Sequence, residues 1–280
     1  AGRLVGFHAR TADLRGEEAD GRIGFRFSEA YKEARDRPVL GQRFEDNLER
    51  TYRGRRPGEL PWFFDNLVPE PAGPLRTLIA RSSGIDERDD LGFLVVAAAD
   101  LPGAIMLREA PGGPLLASPD ENGESETSGI PGILNGRLHF SLAGLQLKFS
   151  MLRDAERYVL PGRDRFGDWI VKVSSPQIPG LVENEHAMLE WARVGGFDVP
   201  ETRLPTSAEL EALLEYVEPD IRALAIRRYD RSAGIRLHQE DFAQVMGKRS
   251  ANKYDSTFED LVADAVNVLG VEVCEELLAR

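Results

Sequence analysis

Residues 168–175 read DWIVKVSS, and residues 182–196 read VENEHAMLEWARVGG. In the first stretch Trp169, Val171 and Val173 alternate with Ile170 and Lys172, the two-residue period of a β-strand with one face on a core. A lysine in that position is often just the outer face of an amphipathic strand. The second stretch has helical spacing: Glu185, Met188, Leu189 and Ala192 recur at i, i+3, i+4 and i+7. Gly195 and Gly196 supply its stop. This phase puts Glu185 on the apolar stripe, where an ionised carboxylate is costly unless paired. Glu183 is the alternative partner for a nearby cation, since helix phase does not single out one residue.

Working outward, three strand candidates precede or contain Lys172: 138–152, 157–160 and 168–173. After the helix come two more, 212–217 and 223–229, on either side of Pro219-Asp220. A strand lysine followed by an inward helical glutamate is the arrangement that positions ATP phosphates in protein kinases. Three strands, a helix and two strands is also the order of a kinase small lobe, although order by itself is only suggestive. A purely structural ion pair is the competing reading. Upstream, SLAGLQLK at 141–148 places a glycine turn between strand-like flanks. Such a turn can aim backbone N–H groups at phosphate oxygens, with Lys148 as an added phosphate contact and Gln146 as a polar brace; a plain hairpin is its default. Downstream, Arg227, Arg228 and Tyr229 end an apolar strand whose backbone could meet an adenine, or could simply end a surface strand.

The N-terminal half alternates short strand-like runs, at 3–10 and 21–27, with ELPWFFDNLVPEPAGP at 59–74 and a helix LRTLIARSSG closed by Gly84. Residues 90–107 are largely apolar, and the Pro102-Gly103 pair should break them into a helix and a strand. Residues 112–132, rich in Gly, Pro, Ser and acidic side chains, cannot easily bury a core and mark a boundary or loop. From His238 on, the pattern is helical.

Composition narrows the function classes. With 35 Lys and Arg against 47 Asp and Glu, the net charge is −12, unlike a chain that wraps nucleic acid by neutralising phosphates. A basic cluster at Arg53, Arg55 and Arg56 reads as a solvated loop. The longest apolar run, Phe93 to Ala99, has seven residues, far short of the ~20 of a membrane helix. A lone cysteine, Cys274, excludes an internal disulfide, and the four histidines lack ligand spacing. The start AGRLVGFHAR has neither a secretion-signal core nor an initiator Met, so a cytoplasmic protein with a processed or trimmed N-terminus is expected.

Five stretches in this order resemble the HipA family of kinases: SLAGLQLKFSML at 141–152, WIVKVSS at 169–175, VENEHAMLEWARVGG at 182–196, IRRYDR at 226–231 and RLHQEDFAQVMGKRSANKYD at 236–255. The last is the most specific. PWFFDNLVPEP at 61–71 and LPGAIML at 101–107 look like the family's N-terminal subdomain. Residue by residue, the resemblance implies that Lys172 is the ATP-phosphate lysine, partnered by Glu185. Ala143, Gly144 and Gln146 would form the phosphate loop, Ser141 would be its autophosphorylated serine, and Arg227, Arg228 and Tyr229 would form the adenine hinge. The family often begins that hinge with glutamate, where this chain has Arg227.

The fold implied is α+β: an N-terminal α+β subdomain at 1–118, a kinase-like small lobe with an antiparallel sheet plus helix at 119–232, and the first helices of a large lobe at 233–280. The activity implied is that of a serine/threonine protein kinase toxin of a type II toxin–antitoxin system, using ATP and Mg2+ and switched off by autophosphorylation. Its partners would be a HipB-like DNA-binding antitoxin and a translation-related substrate such as an aminoacyl-tRNA synthetase. The family's Asn-x-Asp-x-His-x-x-Asn catalytic loop, which supplies the base and a magnesium ligand, does not occur in residues 1–280. The chain is therefore expected to be a truncated piece that does not itself phosphorylate. A non-catalytic, pseudokinase-like module that binds nucleotide or antitoxin is the alternative.

Overall fold

The computed structural model describes residues 12–15, 21–71, 73–98, 100–107, 146–161, 166–175, 178–214, 216–218, 220–232 and 234–271. The packing separates into two compact units, one of residues 1–70 with 239–280 and one of residues 71–238. These units cut across the linear boundaries drawn at 118 and 232.

The first unit starts with strand β1 (Ala12–Arg15), β2 (Gly24–Phe27), helix α1 (Glu29–Glu33), β3 (Tyr52–Arg53) and the short helix α2 (Trp62–Asp65). The strands form an antiparallel sheet in the order β1-β2-β3. Its core is aromatic. Phe44, fully buried, has ring centroids 5.2 Å from Phe25, 4.8 Å from Tyr52 and 5.1 Å from Phe63. Edge-on and tilted rings of this kind add to the area they remove from water.

In the second unit, α3 (Pro74–Ser83) ends at Gly84, whose φ of 67° is the left-handed conformation that a helix stop favours. Helix α4 (Asp90–Val96) follows, capped by the Asp89 side chain on the Gly92 N–H. The 100–107 segment is irregular rather than the strand expected after Pro102. Gly103 turns there with a φ of 70°, and the segment spends polar groups on the Asp230 and Arg231 side chains instead of on a strand ladder.

The remaining elements of this unit are β4 (Lys148–Asp154), β5 (Arg157–Val159), β6 (Trp169–Val173), α5 (Leu181–Val194), β7 (Thr202–Arg203), β8 (Ala223–Arg227), β9 (Arg231–Ser232) and β10 (Ile235–Arg236). The main sheet has the order β5-β4-β6-β8-β7 and is antiparallel throughout. The strand expected at 212–217 does not form: Ser207–Leu213 is a 3-10 helix opened by a Thr206–Glu209 capping box, and the edge strand is Thr202–Arg203. In such a box the Thr206 oxygen accepts from the Glu209 N–H and the Glu209 carboxylate from the Thr206 N–H, which satisfies two free donors and favours a helical turn over the extended reading.

Back in the first unit, α6 (Phe242–Val245) and α7 (Phe258–Leu269) are the last α-helices among the described residues, each opened by a capping box, from Asp241 and from Thr257. The α6 region and the turns after it are clamped to α2. Trp62 Nε1 donates to the Gln244 carbonyl at 3.0 Å, Gln244 Nε2 to the Phe63 carbonyl at 3.0 Å, and Asn66 Nδ2 to the Lys248 carbonyl at 2.7 Å. Buried Asp65 accepts from the Ser250 N–H and hydroxyl and from Arg249. These bonds tie residues 244–250 to the N-terminal segment of the same unit. No helix among the described residues is long and apolar enough to cross a membrane.

Candidate functional site

Strand β6 has the alternation its sequence dictates: Trp169, Val171 and Val173 are buried, and Ile170 and Lys172 are half-buried on the other face. β4 pairs with it so that Lys148 stands directly opposite Lys172, and β8 pairs on the other side with Leu224 opposite Lys172. Residues opposite one another in an antiparallel pair share a face, so two lysine positions share this one.

The Lys172 ammonium forms a salt bridge with Glu185 of α5, the side chains being 23% and 29% exposed. That partial burial is what the pair needs: water still stabilises both charges, and the contact fixes the lysine's direction. Glu183, the other candidate partner, pairs with Arg222 at 2.6 Å, and the hydrogen bond from Arg222 holds its carboxyl below the usual range.

The apolar stripe on α5 is narrower than its sequence suggests. Only Val182 is fully buried, while Met188 is 50% exposed. The half-buried positions Glu185, Leu189 and Ala192 keep the predicted face. Met188 lies off it because the inward line starts from Val182 and runs through 185 and 189.

Of the phosphate-loop residues, Ser141, Ala143 and Gly144 lie outside the described residues. Gln146 is described: its Nε2 donates to the Val173 carbonyl at 2.9 Å, and the Val173 N–H returns a bond to the Leu147 carbonyl at 3.0 Å. Gln146 and Leu147 therefore lead into β4 braced against the residue next to Lys172.

At the expected hinge, the Arg227 N–H donates to the Glu201 carbonyl and the Arg228 N–H to the Asp168 carbonyl. The Arg227 side chain is exposed, 3.8 Å from Glu201. Tyr229 is 66% exposed. The Arg228 side chain, by contrast, points into the unit and is 1% exposed.

Arg228 grips Asp230 with two bonds, Nε to Oδ1 at 2.9 Å and Nη2 to Oδ2 at 2.7 Å. Its Nη1 donates to Asp100 at 2.9 Å and to the Ser150 hydroxyl at 3.3 Å. Arg231 reaches both aspartates, at 2.9 Å and 2.7 Å, and also the Leu101 and Gly103 carbonyls, each at 2.9 Å. The Gly103 N–H closes the set on Asp230 at 2.8 Å. Burial alone would raise the Asp230 carboxyl, but the hydrogen bond and charge of Arg228 overcome it and hold the group below its ordinary value. Two cations and two anions, all nearly dry, thus pair with one another, with the Arg236 guanidinium on the Ile105 carbonyl close enough to interact with all four. Sequence reading missed this cluster. Its only signal was Asp100, a single charge in the apolar run before Pro102, which has to be paired if it is buried.

Comparison with known proteins agrees with this architecture. The family model for the HipA-like C-terminal domain matches residues 140–280, and that for the HipA N-terminal domain matches residues 9–108. The Sinorhizobium fredii protein "Putative kinase Y4dM" is 38% identical over 259 residues, covering 90% of this chain and 60% of that protein. A second protein of that organism, "Putative kinase Y4mE", is 29% identical and covers 92% and 61%. The chain therefore spans about three fifths of the length of these relatives. The HipA–HipB–operator DNA complex of Shewanella oneidensis contains a chain of the same fold, with a TM-score of 0.56 at 18% identity, covering 90% of this chain and 58% of that one. With its N-terminal and C-terminal parts both matched and the kinase-like sheet and helix in place, the chain belongs to the HipA family.

Proposed function

We propose that this chain is the nucleotide-binding part of a HipA-like serine/threonine protein kinase toxin of a toxin–antitoxin system. One observation carries the reading: the salt bridge between Lys172 on β6 and Glu185 on α5, within a five-stranded sheet of order β5-β4-β6-β8-β7. A lysine held by a helical carboxylate offers a fixed cation to phosphate oxygens, so the residues present fit ATP. ATP, once bound, supplies the transferable phosphoryl group; the protein's part is positioning and charge stabilisation. Lys172 would contact the phosphates, Glu185 would orient Lys172, Gln146 would brace the phosphate loop of Ala143 and Gly144, and the 227–229 backbone would border the adenine.

Mg2+ is proposed for the whole protein, its ligands coming by family resemblance from the catalytic loop; among the described residues no group of three or more His, Cys, Asp or Glu side chains could hold a metal. Transfer to a protein serine or threonine belongs to the whole protein, of which residues 1–280 are proposed to bind nucleotide without completing transfer. Ser141 is the proposed site of inhibitory autophosphorylation. A HipB-like antitoxin is the proposed partner, by analogy with the Shewanella complex. A translation-related protein such as an aminoacyl-tRNA synthetase is the proposed substrate, by family resemblance alone.

Calorimetric titration of ATP into the full-length gene product and its Lys172→Ala variant tests this reading. Binding should weaken by at least about tenfold, equivalent to ~1.4 kcal/mol, with toxicity relieved on expression. Unchanged affinity would make Lys172 a structural cation and the reading wrong.

A further inference from the structure

The four-charge cluster takes Arg228 from within the proposed hinge and Asp230 and Arg231 from just after it. Arg228 and Asp230 point inward to it, and Tyr229 between them is exposed. Peptide groups 228 to 230 are therefore oriented by side chains anchored outside the hinge. Part of that anchor comes from a distant stretch of chain. Asp100 accepts from both arginines, while Leu101 and Gly103 lend carbonyls to Arg231 and Gly103 lends its N–H to Asp230. Asp100 and Gly103 lie within the part matched by the N-terminal family model, and Arg228, Asp230 and Arg231 within the C-terminal one. The N-terminal part thus reaches the edge of the nucleotide site through one carboxylate and one turn.

We infer that Asp100 is a positioning residue for nucleotide recognition: it balances Arg228 and Arg231 so that the 228–230 backbone holds one geometry. The inference rests on the reading of residues 227–229 as an adenine hinge. Neutralising Asp100 leaves two guanidinium groups around the single Asp230 carboxylate. The cluster then carries an excess positive charge in a dry setting, where like charges repel strongly. The least costly relief is for Arg231 to turn toward water, which releases the Gly103 and Leu101 carbonyls and leaves Asp230 held by Arg228 and the Gly103 N–H alone. The hinge would then sample several backbone geometries, and a base read through backbone hydrogen bonds loses both affinity and selectivity.

The experiment uses the full-length gene product and compares wild type, Asp100→Asn, the charge-preserving Arg231→Lys, Leu210→Ala and Lys172→Ala. Leu210, on the 3-10 helix Ser207–Leu213, is fully buried in the same unit and has no polar side-chain atom to join the cluster, and it serves as a control for lost stability alone. Dissociation constants for ATP and GTP are measured by calorimetry, with melting temperatures alongside. Asp100→Asn should weaken ATP on the order of tenfold while shrinking the ATP-over-GTP preference. Arg231→Lys should move in the same direction by less, and Leu210→Ala should melt lower with the preference intact.

The inference is overturned if Asp100→Asn, or Arg231→Lys where the former does not fold, keeps the wild-type preference. It is equally overturned if Leu210→Ala shifts the preference as much. Loss of ATP binding in Lys172→Ala together with a silent Asp100→Asn would sink this inference alone. Intact binding in Lys172→Ala would sink the underlying reading.

Discussion

Lys172 and Glu185 lie thirteen residues apart in sequence and meet because a strand of fixed alternation feeds a helix of fixed period. At 23% and 29% exposure the pair is partly hydrated, so its contribution to stability is about 1 kcal/mol or less. Glu185→Gln should therefore leave the denaturation midpoint nearly unchanged while weakening ATP about tenfold, as read by parallel urea titration and calorimetry; a large loss of stability with intact binding would contradict the assignment. Arg228 behaves in the opposite way. It is dry, and Arg228→Ala would leave Asp100 and Asp230 with one cation between them, a loss of about 3–5 kcal/mol that urea unfolding would register. A third residue-scale effect is pH-dependent. Burial pushes the Glu240 carboxyl from its ordinary 4.5 up to about 7, the Gln42 N–H opposing and Asp241 and Glu45 adding to it. The folded state thus holds a proton that the unfolded state releases, so this stability is complete below pH 4.5 and is lost as pH rises toward 7. Glu240→Gln, which keeps an acceptor for Gln42, should flatten that decline, worth at most about 3 kcal/mol, in melting temperatures measured from pH 4.5 to 8.

Among the elements, those whose ends carry their own signals matched expectation. α3 stops at Gly84, and α5 ends at Gly195-Gly196. β6 has the predicted alternation of buried and half-buried residues. The elements that were misread are those settled by side chains acting locally or at a distance. Residues 212–217 read as extended because apolar residues cluster there, yet the Thr206–Glu209 box had already begun a helical turn. The 100–107 stretch reads as a strand, yet its polar groups go to Asp230 and Arg231. Capping also gives an element-scale prediction. The Thr257 hydroxyl accepts from the Asp260 N–H at 3.1 Å and opens α7. Thr257→Ala should cost about 1 kcal/mol and speed hydrogen exchange at the Asp260 amide without slowing that of α5.

For the whole molecule, the compact unit 71–238 joins residues from both matched family domains, and the Asp100 cluster is the charged part of that junction. A fragment of residues 71–238 should melt cooperatively by circular dichroism, whereas residues 140–238, which strand Arg228 and Arg231 with one aspartate, should not. Equal melting of the two would show that residues 71–107 contribute little to this unit. By itself the sequence determined the strand lysine, the inward helical glutamate, the helix stops and the family motifs, because each depends on periods of two or 3.6 residues or on caps within a few positions. The assembled fold alone settles that Glu185 rather than Glu183 meets Lys172, that Met188 is turned outward, that residues 244–250 are bonded to α2 and its cap, and that Asp100 balances Arg228 across 128 positions. Those outcomes depend on which charges are dehydrated together. Desolvation belongs to the assembled core, and no local period encodes it.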